Sequence, residues 1–296
     1  MTAPTRATTA GRAYLDLRSK ARQDRRPVDE LMQLYALEAF LGRMAATGSA
    51  EQFVLKGGVL LAVFGQRRPT RDIDLQAQYI ANDRATVRAA ITEIAATSMD
   101  DGVVFDTQAA TAAAIREEDQ YQAVRVSMTA SLATARPSFH VDVSVGDPIM
   151  PEPQIVQLPR ILGGTIAVRG YPLSMVHAEK IVTAIARGTA STRWRDFADM
   201  FTLTTRHPVD GTELGTSIRE VAQHRSTRLE PLSGTLDGYG TIGQQRWKAW
   251  RRKQRLEDRL PGQFGEVIAA VVEFADPAIA GTSYGQSWDP AAGEWT

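Results

Sequence analysis

Two aspartates separated by one residue lie in the segment from Asp72 to Gln76, where polar and apolar side chains alternate strictly. This alternation predicts a β-strand with Ile73 and Leu75 on one face and Asp72, Asp74 and Gln76 on the other. Carboxylates two residues apart on one strand face lie roughly 6–7 Å apart at their Cα atoms, so they repel each other unless a cation lies between them. Mg²⁺ typically binds one or two protein carboxylates together with substrate phosphates. We therefore predict a site for Mg²⁺ or Mn²⁺.

A turn of Lys56, Gly57 and Gly58 lies upstream of the two aspartates, directly before a short apolar segment that we predict to begin as a helical turn. Glycine leaves backbone N–H groups accessible, and the N-terminus of a helix attracts phosphate. We therefore predict that these three residues and the basic Arg71 bind the triphosphate of an NTP. Without the glycine turn, an exposed Asp-x-Asp strand with no function would be the default interpretation.

A second alternating segment, Phe139–Val145, places its valines on one face and His140, Asp142 and Ser144 on the other. If this strand lies beside the first, Asp142 joins the two aspartates as a third carboxylate. Three acids around two cations can hold the attacking and leaving oxygens of an in-line phosphoryl displacement. A solvent-exposed polar face is the alternative interpretation of this segment.

The composition excludes several classes of protein. The 296 residues suffice for one large or two modest domains, and the chain has no cysteine, which excludes disulfides, thiolate nucleophiles and cysteine-ligated metals. Its four histidines show no zinc-binding spacing, and the 34 basic and 34 acidic residues cancel, which argues against indiscriminate nucleic-acid binding. No apolar run is long enough to cross a membrane, so we expect a soluble, cytoplasmic protein.

The pattern of apolar residues changes near Gly170. Helical stripes and short strand-like segments precede it, which predicts an α/β domain over residues 1–170 with helices at its N-terminus. Helix-type segments dominate after it, which predicts a helical domain over residues 171–296. The proline-rich stretch from Pro148 to Pro159 leads into an edge segment, Ile161–Val168, and the tail Gly281–Thr296 is rich in Gly, Ser and Trp and is aperiodic.

The Lys-Gly-Gly turn followed by Asp-x-Asp resembles the nucleotidyltransferase superfamily related to DNA polymerase β, and two later segments narrow the resemblance. Ala178-Glu179-Lys180 resembles an EK-containing helix of the family, and the segment from Arg193 to Met200 resembles its RxKDxYDL block. The four motifs, in this order between Phe53 and Leu203, resemble the AbiEii/MenT toxins of bacterial type IV toxin–antitoxin systems. Three positions of the last block differ from the family pattern. Arg195 stands where the family often has lysine, Ala198 replaces the aromatic residue and Met200 replaces leucine.

The resemblance implies a polymerase β-like nucleotidyltransferase domain with a mixed sheet, followed by a C-terminal helical domain, which is an α/β (α+β) fold. It also implies roles for residues of this chain. The glycines of the turn hold the nucleotide phosphates and the three aspartates hold the metal, while Lys180 reaches the triphosphate and Asp196 is a late catalytic acid. This later region also has simpler interpretations. Lys180 could be a solvated surface lysine, and Arg195 and Asp199 could form a surface ion pair.

The resemblance further implies a toxin that uses an NTP and Mg²⁺ to add nucleotides to an RNA 3′ end, most plausibly the tRNA acceptor stem, and so blocks translation. An antitoxin encoded nearby would neutralise it. Candidate RNA-binding residues lie in the late block and in the basic, tryptophan-containing segment Gln244–Arg259: Arg193, Arg195, Arg251, Arg252 and Lys253. The alternative for that segment is a solvated basic helix whose tryptophans pack inward.

Two further functions remain open at this point. The same fold could transfer a nucleotide to a protein hydroxyl or to a small molecule, and dispensable Arg251, Arg252 and Lys253 would favour that. It could also be a non-catalytic nucleotide-binding module, which the intact set of three aspartates speaks against. We interpret His140 and His177 as orienting or core residues rather than as bases.

Thr70 lies two residues before the first aspartate and beside several arginines. It is most simply a turn residue. A sharper hypothesis is regulation, because a phosphate on Thr70 would add a charge of about −1.5 to −2 beside the metal-binding carboxylates and compete with the phosphates of the nucleotide.

Overall fold

The computed structural model describes residues 3–117 and 121–296. The chain forms two compact units, Met1–Asp147 with Pro153–Gly170 and Pro148–Glu152 with Tyr171–Thr296. The predicted α/β fold with a mixed sheet and a helical C-terminal region is confirmed. Because compactness does not show that a unit folds alone, the division into domains 1–170 and 171–296 stays a prediction.

The first unit contains helices and strands in mixed order. Its helices are α1 (Thr9–Gln23), α2 (Val28–Ala46), α3 (Gly57–Leu60) and α4 (Arg84–Ala96), with a 3₁₀ turn at Gly48–Gln52. Its strands are β1 (Phe53–Lys56), β2 (Asp72–Ala77), β3 (Val104–Phe105), β4 (Thr111–Glu117), β5 (Tyr121–Ser131), β6 (Ser138–Val145), β7 (Gln154–Pro159) and β8 (Thr165–Gly170).

The strands of the first unit form one sheet in the order β3-β5-β6-β2-β1-β8-β7, and β4 also pairs with β5. Strand β2 is parallel to β6 and β1 is parallel to β8, while the other pairs are antiparallel. The sheet is therefore mixed. Its centre consists of β6, β2 and β1, which are the strands that carry the candidate site.

Apolar side chains of α2 and the sheet form the core of this unit. Phe40 of α2 lies with its ring 6.2 Å from Phe105 and 6.0 Å from Phe139, and the latter two rings are 5.5 Å apart. Helix α4 begins where Asp83 accepts hydrogen bonds from the backbone N–H groups of Ala85 and Thr86. These bonds lower the pKa of Asp83.

The second unit consists mainly of helices. They are α5 (Leu173–Arg187), α6 (Trp194–Thr204), α7 (Gly211–His224), α8 (Leu232–Thr235), α9 (Tyr239–Lys253) and α10 (Phe264–Ala280). A small antiparallel sheet joins β9 (Val209–Asp210), β10 (Ser287–Asp289) and β11 (Glu294–Trp295). None of the helices in the described ranges is long and apolar enough to cross a membrane.

The tail Gly281–Thr296, which is aperiodic in sequence, nevertheless contributes the short strands β10 and β11. Trp288 donates its Nε1–H to the carbonyl of Thr204 at 2.8 Å, and the rings of Trp288 and Trp295 both pack on Phe274. Strands of two or three residues are too short to produce a period in the sequence, so only these buried contacts reveal them.

The second half of the proline-rich stretch forms β7, a strand that was not predicted, which pairs with β8 from Gln154 to Pro159. Strand β4 was not predicted either. Its alanine-rich sequence from Thr111 to Ile115 has low β-propensity, and pairing with β5 determines its conformation.

Candidate active site

The three aspartates lie together because β2 and β6 are parallel neighbours. Asp74 pairs in register with Asp142, and Asp72 pairs with His140. Directly paired residues project from the same face of a sheet, so the polar faces of the two alternating segments coincide. One carboxylate oxygen from each aspartate lies within 4.8 Å of the others. Asp142 is buried, whereas Asp72 and Asp74 are half-buried.

Gly57 allows a close approach between β1 and the second aspartate of β2. Its φ of +66° is in the left-handed region, and a Cβ placed there would lie 1.8 Å from Oδ2 of Asp74. The N–H of Gly58 donates to the same oxygen at 3.4 Å. The two glycines are the first residues of a helix of only four residues, Gly57–Leu60. The first glycine is therefore required by the position of the carboxylate, while the roles of both glycines toward phosphate stay predictions.

Arg125 of β5 is a site residue that the sequence analysis missed. It pairs in register with Asp142, and its Nε and Nη2 donate to the two carboxylate oxygens at 2.8 and 2.6 Å. The hydrogen bond to Asp142 raises the pKa of Arg125. The sequence contains no signal for the register of β5 against β6.

Thr70 lies against the first aspartate. Its Oγ1 donates to Oδ1 of Asp72 at 2.5 Å, and the residue is 7% exposed. It is therefore more than a turn residue, because it restrains one of the three carboxylates. Regulation by phosphorylation stays a prediction, and a phosphate on Oγ1 would remove this hydrogen bond.

The other two predicted phosphate-binding residues differ in their surroundings. Lys56 is buried on the face that carries the aspartates, and its Nζ contacts Oδ2 of Asp147 at 3.2 Å. Arg71 is exposed, and its backbone carbonyl accepts from the N–H of His140. Their binding to a nucleotide stays a prediction.

The three carboxylates fit a hard divalent cation. All of their donor atoms are oxygens, which Mg²⁺ and Mn²⁺ prefer, and their mutual distances place three negative charges around one point. Carboxylates this close repel one another, and a cation between them removes that repulsion. Asp72, Asp74 and Asp142 would hold the ion.

The two later motifs meet in the second unit. Nζ of Lys180 on α5 donates to Asp196 at 2.7 Å and to Asp199 at 3.0 Å, and Arg193 also forms an ion pair with Asp196. Both aspartates are buried. Burial by itself raises the pKa of Asp196, but the charges of Lys180 and Arg193 outweigh it and hold the pKa well below its usual range. Lys180 is therefore not a solvated surface lysine, and Asp199 is a buried carboxylate.

With this geometry, the chain can be compared with known proteins. A family model described as the nucleotidyl transferase AbiEii toxin of type IV toxin–antitoxin systems matches residues 39–276. The chain belongs to the AbiEii family. It is thus a nucleotidyltransferase toxin, and the family implies an NTP substrate, a divalent metal ion and an antitoxin. The resemblance of the sequence motifs to the AbiEii/MenT toxins is therefore confirmed.

Solved structures similar to this AbiEii protein are distant in sequence. MenT4, a nucleotidyltransferase toxin from Mycobacterium tuberculosis H37Rv, is 16% identical over 92% of this chain and 96% of its own, with a TM-score of 0.49. A candidate nucleotidyltransferase from H. pylori is 12% identical over 85% of this chain and 95% of its own, with a TM-score of 0.48. A search of the curated proteins finds no match.

His177 lies on α5 of this AbiEii protein and is fully buried against Phe274, with ring centroids 4.7 Å apart. Among the described residues, neither of its ring nitrogens has a hydrogen-bond partner. Burial, followed by the charges of Lys180 and His207, lowers its pKa to about 3. It is a core residue rather than a base.

The buried His177 makes the second unit sensitive to acid. Its folded pKa lies below its unfolded value, so its full contribution to stability is present above about pH 6.5 and is lost as the pH falls toward 3. Over that range we expect the free energy of unfolding to fall by about 1.4 kcal/mol per pH unit from this group. Tryptophan fluorescence during urea unfolding measures this, because all five tryptophans lie in the second unit.

The control variants for this pH dependence are His177→Leu and His224→Gln. The first should remove the contribution of His177 to the slope, because leucine fills the site without a titratable group. The second should keep the slope, because His224 is exposed. An unchanged slope in His177→Leu would contradict the assignment.

Part of the basic segment Gln244–Arg259 packs and forms hydrogen bonds within the second unit. Trp247 is fully buried, stacks on Trp250 and Phe264, and donates to the carbonyl of Pro261. Arg251 donates to the carbonyl of Leu260 at 2.9 Å. Trp247 thus packs inward, as the alternative interpretation of this segment predicts, and the half-buried Trp250 lies against it. Four of the candidate RNA-binding residues are exposed: Arg193, Arg195, Arg252 and Lys253.

Proposed function

We propose that this nucleotidyltransferase transfers a nucleoside monophosphate from an NTP to the 3′ end of an RNA, in the first instance the acceptor stem of tRNA. A tRNA extended in this way could not be aminoacylated, and translation would stop. The observation that supports the transfer most directly is the in-register group of three carboxylates on β2 and β6, with ligand atoms within 4.8 Å of one another.

The three aspartates would hold Mg²⁺ or Mn²⁺. Such an ion supplies Lewis-acid polarisation of phosphoryl oxygens and stabilises the negative charge that develops on the leaving pyrophosphate. Thr70 binds Asp72 and the N–H of Gly58 binds Asp74, so these two carboxylates have a fixed orientation before the ion arrives. Fixed ligands reduce the reorganisation that accompanies the reaction.

The remaining residues would act on the nucleotide and the RNA. Lys56, Gly57, Gly58 and Arg71 bind phosphates in this proposal, and Lys180 offsets charge on the triphosphate. Asp196 holds Lys180 through the ion pair at 2.7 Å and serves as the late acid. The exposed Arg193, Arg195, Arg252 and Lys253 attract the RNA backbone, together with Arg251. The enzyme would work in the cytoplasm, where an antitoxin encoded nearby restrains it.

Labelled nucleotides test this proposal. The purified protein is incubated with total tRNA, Mg²⁺ and each α-labelled NTP in turn, beside Asp72→Asn and the matched variant Asp258→Asn, whose carboxylate is exposed. We expect label to enter tRNA with a preferred NTP, to disappear in Asp72→Asn and to persist in Asp258→Asn. The loss follows because an amide is a poorer metal ligand and does not carry the charge that balances the cation.

Other outcomes would change the proposal in defined ways. Label that enters a protein or a small molecule, and no RNA, would keep the transfer reaction and replace the acceptor. Bound nucleotide without transfer to any acceptor would favour a binding module. Equal activity of wild type and Asp72→Asn would overturn the assignment of the site.

A further inference from the structure

Arg125 donates hydrogen bonds to both carboxylate oxygens of Asp142, the third aspartate of the group. Its guanidinium forms a two-point contact with Asp142 from the facing position of β5, at 2.8 and 2.6 Å. Asp142 is buried, with 6% of its side chain exposed, whereas the side chain of Arg125 is 37% exposed. The partner that can move away into solvent is therefore the arginine.

The charge of Arg125 acts on the whole group of aspartates. Asp142 shares the acidic group with Asp72 and Asp74, so the guanidinium that contacts Asp142 lies beside all three carboxylates. A divalent cation would enter the same space, since one oxygen from each aspartate lies within 4.8 Å of the others. Two positive groups would then share one carboxylate, and like charges at such distances repel.

We propose that Arg125 is the internal counter-cation of the metal site, and that it weakens its hold on Asp142 when a divalent cation binds there. This rests on the proposed function, because it assumes that the three aspartates hold the metal. Arg125 stabilises the metal-free site, and it also lowers the affinity of that site for a lone cation. Occupation by metal is then strongest when the negatively charged nucleotide phosphates arrive with it.

Metal binding without nucleotide tests this exchange. Binding of Mn²⁺ to the full-length protein is measured by electron paramagnetic resonance for wild type, Arg125→Gln, Arg125→Lys and Asp72→Asn. Glutamine retains a hydrogen-bond donor and removes the charge, whereas lysine retains the charge and removes the two-point contact. We expect Arg125→Gln to bind Mn²⁺ roughly fivefold more tightly and Arg125→Lys to remain within about twofold of wild type.

Thermal unfolding provides a second readout that does not depend on activity. Without metal, Arg125→Gln should melt below wild type, because three carboxylates then lack this counter-charge. Saturating Mg²⁺ should raise its melting temperature more than that of wild type, because at a given concentration a ligand that binds the native state more tightly stabilises it more. Circular dichroism at room temperature verifies that each variant is folded.

Each outcome decides between this exchange and its rivals. Weaker Mn²⁺ binding in both arginine variants would overturn it and make Arg125 a residue that orients Asp142 for the metal. Unchanged binding in Arg125→Gln, or tighter binding in both variants, would overturn the argument from charge. If wild type and Asp72→Asn bind Mn²⁺ equally, the metal site itself fails, and with it the proposed function.

Discussion

Gly57→Ala is expected to reduce nucleotidyl transfer by at least about a hundredfold, as deeply as Asp74→Asn, while the protein stays folded. The added Cβ would lie 1.8 Å from Oδ2 of Asp74 and 2.5 Å from its Cγ, so the carboxylate must leave its position. Asp74 is the member of the acidic group that pairs in register with Asp142, and its displacement opens the proposed metal site. Initial rates of label transfer, measured over a range of Mg²⁺ concentrations, check this.

The control for Gly57→Ala is Gly65→Ala. Gly65 has a φ of +72°, nearly the same as Gly57, but a Cβ there would meet no atom of the described residues within 4 Å. Both variants therefore carry the backbone strain of a left-handed alanine, about 1–2 kcal/mol, and only one displaces a carboxylate. Gly65→Ala should lose stability and keep its activity. Comparable activity losses in both variants would show that strain, rather than contact with Asp74, causes the effect.

Alternation in two short segments predicts which side chains of each strand share a face, and the three aspartates then group together if the two strands are neighbours, as they are in the structure. It works because β2 and β6 run parallel with their polar residues in phase, so the pleat of each strand can be derived from the order of residues alone. The fold class follows from the same patterns, together with the motifs of the AbiEii family. The catalytic roles of these residues stay predictions that the transfer assay addresses.

The sequence does not show which residues of neighbouring strands contact each other. Arg125 and Asp142 are 17 residues apart and meet only through the register of β5 against β6, which depends on the turn between them. The same holds for β4, where an alanine-rich segment becomes a strand because a neighbour supplies its hydrogen bonds. Lys180 and Asp196 differ from these cases, since two family motifs already mark them.

Asp101→Asn is expected to destabilise the first unit by about 3–5 kcal/mol, the usual cost of leaving one member of a buried ion pair alone. Arg43 is 2% exposed and pairs with Asp101 through both of its terminal nitrogens, at 2.6 and 3.1 Å. Its other N–H groups donate to the carbonyls of Ala39, Thr97 and Val103. Every donor of the guanidinium is thus satisfied, and the pair fastens α2 to the segment between α4 and β3.

The asparagine variant keeps the size of the side chain but removes its charge and turns an amide donor toward the guanidinium. A buried, uncompensated Arg43 cannot regain its hydration without opening the core around Phe105, whose ring lies 4.9 Å from the guanidinium carbon. Tyr35 depends on the same segment, because its hydroxyl donates to the carbonyl of Asp101 at 2.8 Å. Loss of the pair therefore loosens α2 and the strands on which it packs.

Hydrogen exchange of the amides in β5 and β6 is the appropriate measurement for Asp101→Asn, because the tryptophans all lie in the other unit and do not report on this one. The matched control is Asp16→Asn, which breaks the pair with Arg6, where 44% and 63% of the two side chains are exposed. Exposed pairs contribute at most about 1 kcal/mol, so this variant should exchange almost as wild type does. Equal exchange rates in the two variants would mean that Arg43 finds another partner or reaches water, and that the buried pair does not hold α2 in place.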